Sequence, residues 1–110
     1  MDVVAVYIYE IQKGTKPMAL VTLDKSELGR AVTKIQRSGL CYSVQDAGGD
    51  KANIFFGTSP CVEAVRGFAD KKLSELSAEE DFMLGTMLGY CTIEQCERYL
   101  RRKVVCEKSA

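Results

Sequence analysis

The sequence predicts an α+β fold, a four-stranded and mainly antiparallel sheet with its elements in the order ββαββααα. Three observations point there. Runs of β-branched and aromatic residues at Val3 to Ile11, Met18 to Leu23, Leu40 to Gln45 and Lys51 to Phe56 read as strands. Apolar residues recur at helical spacing after the second and fourth of these runs, so a ββα succession occurs twice. Beyond Ser77 the pattern is helical, with acidic residues early and basic residues late.

Val3 to Ile11 is apolar at both parities, as a strand covered on both faces would be. Lys13-Gly14-Thr15-Lys16-Pro17 interrupts it and Met18 resumes it, so the two runs can pair as a hairpin. Asp24 and Glu27 have capping-box spacing; Leu28, Ala31, Val32 and Ile35 then form the buried stripe of a helix that Ser38-Gly39 ends. Between the third and fourth runs, Gly48 and Gly49 permit the positive φ angles of a tight turn, which makes a second hairpin.

Ser59 as cap and Pro60 in the first turn open a short helix with Val62, Val65 and Phe68 on one side. A polar connector, Asp70 to Leu76, leads to a capping box at Ser77 and Glu80, and the helix that follows reaches about Leu88, with Gly89 as its C-cap. Thr92 and Gln95 offer a capping pair for a last helix, supported by the i,i+4 pairs Glu94–Arg98 and Glu97–Arg101 and expected to fray from Glu107. Right-handed crossover is met if the fourth strand lies between the second and third. The sheet order is then 1-2-4-3, a permuted ferredoxin-like layer with helices on one face and two C-terminal helices capping an end or the second face.

A chain of 110 residues fits one domain, residues 1–110. Its 46% hydrophobic and 27% charged composition is that of a globular protein. Lys plus Arg and Asp plus Glu both number 15, so no net charge favours nucleic acid or an anionic membrane as partner. The start has no basic segment and its apolar run ends by Glu10, unlike a signal peptide, so the expected location is cytoplasmic. The odd set Cys41, Cys61, Cys91, Cys96 and Cys106 reads as reduced thiols.

Histidine is absent, which removes Cys–His and Ser–His dyads and His-ligated metal sites. No phosphate-loop or dinucleotide motif indicates a cofactor, and Cys91 and Cys96, five apart, lie on different sides of a helix and make no metal or redox pair. The sharpest local candidate is the turn Gly57-Thr58-Ser59-Pro60-Cys61, where free N–H groups and hydroxyls could hold an anion beside a first-turn thiol. The plainer reading makes Ser59 a cap and Cys61 a packed residue.

Gly85 and Gly89 leave a groove on the apolar helix before residue 90, read as core packing or, alternatively, as a partner or homodimer interface. Arg98, Arg101, Arg102 and Lys103 complement a helix dipole and can also dock an acidic partner. Tyr7, Tyr9, Tyr42, Phe55 and Phe56 read as core or cross-strand aromatics.

Ile8-Tyr9-Glu10 with Lys13-Gly14, Asn53-Ile54-Phe55-Phe56-Gly57, Cys61-Val62-Glu63, Glu79-Glu80-Asp81-Phe82 with Leu84-Gly85, Leu88-Gly89-Tyr90, and Gln95-Cys96 with Arg98-Tyr99-Leu100 run through nearly the whole chain. In this order they resemble a family of short bacterial proteins known only as a domain of unknown function. The resemblance implies an accessory role near flavin electron transfer, since members often lie beside or are joined to flavodoxin-like proteins. It brings no catalytic residues. Members often carry a histidine near the first strand, where this chain has Val6-Tyr7.

Two functions follow as expectations. One is a non-catalytic interaction module that docks on an acidic flavodoxin-like protein through Arg98, Arg101, Arg102 and Lys103. The other is a cysteine-dependent or anion-binding enzyme centred on Gly57, Thr58, Ser59 and Cys61.

Overall fold

The computed structural model describes residues 2–68 and 71–109, and for residues 105–109 the backbone alone. Its elements are α1 (Val3–Lys13), β1 (Met18–Asp24), α2 (Lys25–Ser38), β2 (Cys41–Asp46), β3 (Lys51–Gly57), α3 (Ser59–Arg66), a 3-10 turn (Leu73–Glu75), α4 (Ala78–Met87) and α5 (Thr92–Ser109). The class is α+β, but among the described residues the sheet has three strands.

The missing strand is α1. Apolar residues at both parities also satisfy helical spacing: Val4 and Ile11 are buried, with Tyr7 and Ile8 half-buried on the same side. The helix ends are specified as well. Asp2 accepts the Ala5 N–H at 3.2 Å. Gly14, at φ 89°, closes the other end, with its N–H on the Ile11 carbonyl (3.1 Å) and that of Thr15 on Glu10 (3.0 Å).

The three strands are antiparallel in the order β1-β3-β2, the relative succession expected of those three runs. The strand covered on both faces is β3, in which residues 52–57 are all buried. Ala19, Val21, Ile54 and Phe56 meet α1 and α2 on one face, while Met18 and Phe55 meet α3 and α4 on the other. Burial of Phe55 or Ile54 on these faces contributes roughly 1.5–3 kcal/mol each. The expectation of the first two predicted helices on one face is therefore corrected. With α1 already beside α2, the apolar stripe of Val62, Val65 and Phe68 on and after α3 covers the opposite face.

Three expected caps also change. The Asp24 carboxylate does not cap α2, because its cross-strand neighbour Lys51 draws it into an ion pair. The cap position of α3 belongs to Thr58, and Ser59 is the first helical residue. Thr92 likewise lies inside α5, while Gln95 turns inward to a buried position. The Ser77–Glu80 capping box is present in full, and Gly89 (φ 81°) follows the end of α4. The helical backbone of α5 continues past Glu107 to Ser109. Asp70 and the side chain of Cys106 lie outside the described residues. Among the described residues no helix is long and apolar enough to cross a membrane.

Candidate partner interface

The turn at residues 57–61 has a structural role for most of its parts. A Cβ on Gly57 would fall 2.4 Å from the Pro17 carbonyl oxygen and 2.8 Å from the Met18 Cα, so glycine is what lets β3 pass β1 at this point. The same carbonyl accepts the Thr58 N–H at 3.2 Å and the Thr58 hydroxyl at 3.4 Å. Proline at position 60 has no N–H, and that of Val62 is bonded to Thr58. At most the N–H groups of Ser59 and Cys61 are left to face an anion. The Cys61 side chain is half-buried and packs on the core around Met18 and Phe55. Cys41, Cys61, Cys91 and Cys96 are free thiols, and among the described residues no group of His, Cys, Asp or Glu could hold a metal ion.

On the same sheet face, toward its other end, a polar ladder crosses all three strands. Thr22 donates to the Asn53 Oδ1 at 2.6 Å, Asn53 Nδ2 donates to Gln45 Oε1 at 3.0 Å, and Gln45 Nε2 donates to the Lys71 carbonyl. Thr22, Asn53 and Gln45 are register partners, so the ladder fixes the alignment while satisfying the buried amide of Asn53. Spacing along single strands could not show it.

An open groove of about 630 Å³ lies between α1, α2 and β1, lined among others by Asp2, Thr22, Glu27, Arg30 and Lys34. Lys34 pairs with Asp2, and the rim is of mixed sign, which selects no ligand class.

The basic cluster of α5 is largely engaged within the fold, since α4 and α5 pack antiparallel. Arg98 forms a two-pronged pair with Asp81, Nε to Oδ2 at 2.7 Å and Nη2 to Oδ1 at 3.2 Å. Arg102 reaches Asp81 at 3.2 Å and the Leu76 carbonyl at 2.7 Å, and Lys103 pairs with Glu79. Phe82 and Tyr99 meet edge to face with ring centroids 5.4 Å apart. The Arg98 hydrogen bond holds the Asp81 carboxyl below the usual carboxylate range, and that of Lys103 does the same for Glu79. Arg98 is thus drawn away from Glu94, its expected i,i+4 partner. Of the four cations expected to face a partner, Arg101 is exposed and has no ion-pair partner among the described residues.

The groove expected on α4 is filled from within. Gln95, 8% exposed, lays its amide over Gly85, where a Cβ would fall 2.0 Å from Oε1. The opposite side of α5 is bare and apolar. Ile93 (70% exposed), Leu100 (60%) and Val104 (47%) stand at i, i+7 and i+11, on one stripe facing away from α4, with Cys96 exposed beside it. A net charge of zero and the run of single strands and helices did not single out this stripe; the helical spacing of Ile93, Leu100 and Val104 was the available signal.

No curated protein matches the chain. A family model described as "Protein of unknown function (DUF2023)" matches residues 2–102. The chain, with its three-stranded sheet between two helical layers and its α4–α5 hairpin, belongs to that family of unknown function.

Proposed function

We propose that this chain is a non-catalytic interaction module whose binding surface is the outward face of α5, acting as one domain in the reducing cytoplasm of a bacterium. The observation that carries this reading is the row of Ile93, Leu100 and Val104 exposed on a helix whose other side is already packed. Large apolar side chains aligned on one helix face lose favourable burial, roughly 25 cal/mol per Å², unless something covers them. A flavodoxin-like protein is the heterologous partner class that the family resemblance implies. For such a partner the recognition surface is the apolar stripe with Arg101 on its flank, because Arg98, Arg102 and Lys103 already neutralise Asp81 and Glu79.

The test is calorimetric dilution of the chain, and its titration with a flavodoxin, at low and high salt. Association of either kind is expected, and Leu100→Lys should abolish it while the chain stays folded. Absence of both associations at low salt overturns the reading.

A further inference from the structure

We infer that a second copy of this chain covers the α5 stripe, with the two α5 helices antiparallel about a two-fold axis near Tyr99. This rests on the reading of α5 as a binding face and names its occupant. The grounds are the symmetry of the stripe. Leu100 lies one position from residue 99, Ile93 and Val104 lie six and five positions to either side, and Glu97 and Arg101 lie two positions to either side. A two-fold axis at residue 99 therefore sets Leu100 against its own mate, offset by about 3 Å along the helix at 1.5 Å per residue. It also sets Ile93 of one copy against Val104 of the other.

The flanking charges obey the same symmetry. Glu97 and Arg101 are both exposed, lie on the same flank of the stripe and, against the i,i+4 expectation, form no ion pair with each other or with any other described residue. In an antiparallel pair that flank meets itself, so Glu97 of each copy faces Arg101 of the other, giving two ion pairs across the axis. A parallel pairing would set Glu97 level with Glu97 and Arg101 level with Arg101. A contact built on one helix per copy belongs at the small end of protein interfaces, so the dimer is reversible and concentration-dependent.

Sedimentation velocity over a concentration series tests this with the wild-type chain, Leu100→Lys, Glu97→Arg, Arg101→Glu and the double reversal E97R/R101E. Circular dichroism melts confirm that each variant folds. A wild-type monomer–dimer equilibrium is expected, with Leu100→Lys monomeric, each single reversal weakening the dimer about tenfold, and the double reversal restoring it. A wild-type dimer that the single reversals leave intact, or that the double reversal fails to restore, overturns the antiparallel arrangement. A chain that stays monomeric overturns the second copy as occupant. If such a monomer still binds a flavodoxin in a Leu100-dependent manner, the binding face itself stands, and if it does not, both proposals fall.

Discussion

The carboxamide of Gln95 lies where a side chain on Gly85 would begin, its Oε1 2.0 Å from the position of a Cβ there. With the Arg98–Asp81 pair and the Phe82–Tyr99 ring contact, it seats α5 on α4 and leaves Ile93, Leu100 and Val104 outward. It also couples the two residues energetically. Alone, Gly85→Ala should destabilise the chain, because Gln95 must leave its buried seat. In a Gln95→Ala background the same change should stabilise by about 0.5–1 kcal/mol through helix propensity alone. Urea denaturation of the four proteins of this cycle checks the reversal of sign.

Asn53→Ala should cost about 1–3 kcal/mol, because Thr22 and Gln45 lose their shared partner at a buried position. Asn53→Asp should cost more near neutral pH, since the new carboxylate cannot donate to Gln45 and brings a charge into the sheet face. Thermal melts followed by circular dichroism compare the two.

The α4–α5 hairpin should be acid-sensitive. Asp81, Glu79 and Glu80 are held below the usual carboxylate range, chiefly by hydrogen bonds from Arg98, Lys103 and Lys71 respectively. A carboxyl depressed in the folded state adds stability that is complete above its unfolded value, about 4, and is lost as pH falls through the lower folded value. Melting temperature should therefore drop as pH is lowered from about 5 to 2. Asp81→Asn should flatten part of that drop.

The cysteines should alkylate in order of exposure. Cys91 and Cys96 are exposed, whereas Cys41 and Cys61 are half-buried against the core. Mass spectrometry of partial labelling should find Cys91 and Cys96 modified before Cys41 and Cys61. Fastest modification at Cys61 would instead favour chemistry at the turn after β3.

Much of the core was legible beforehand. The hairpin of β2 and β3, the stripe of α2 and the capping box at Ser77 follow from spacing and turn residues, and the place of β3 between β1 and β2 from the crossover rule, although the four-stranded order around it does not hold. The segment from Val3 to Lys13 is ambiguous because an apolar run of seven residues, Val3 to Tyr9, satisfies both periods, and the caps at Asp2 and Gly14 distinguish a helix from a strand. Asp24 and Gln95 have the right spacing for capping yet are claimed by tertiary partners, Lys51 across the sheet and Gly85 across the hairpin. For the candidate site the limit was orientation. The cations of α5 were visible in sequence, but their engagement by Asp81 and Glu79, and the outward turn of Ile93, Leu100 and Val104, depend on how α5 rolls on α4.

The most direct measurement of the binding face is a concentration series of amide nuclear magnetic resonance spectra of the chain, repeated with an added flavodoxin. Shifts should grow with concentration or partner and concentrate on Ile93, Cys96, Glu97, Leu100, Arg101 and Val104. Shifts confined to α1 and α2, or around residues 57–61, with α5 unchanged, would contradict α5 as the binding face.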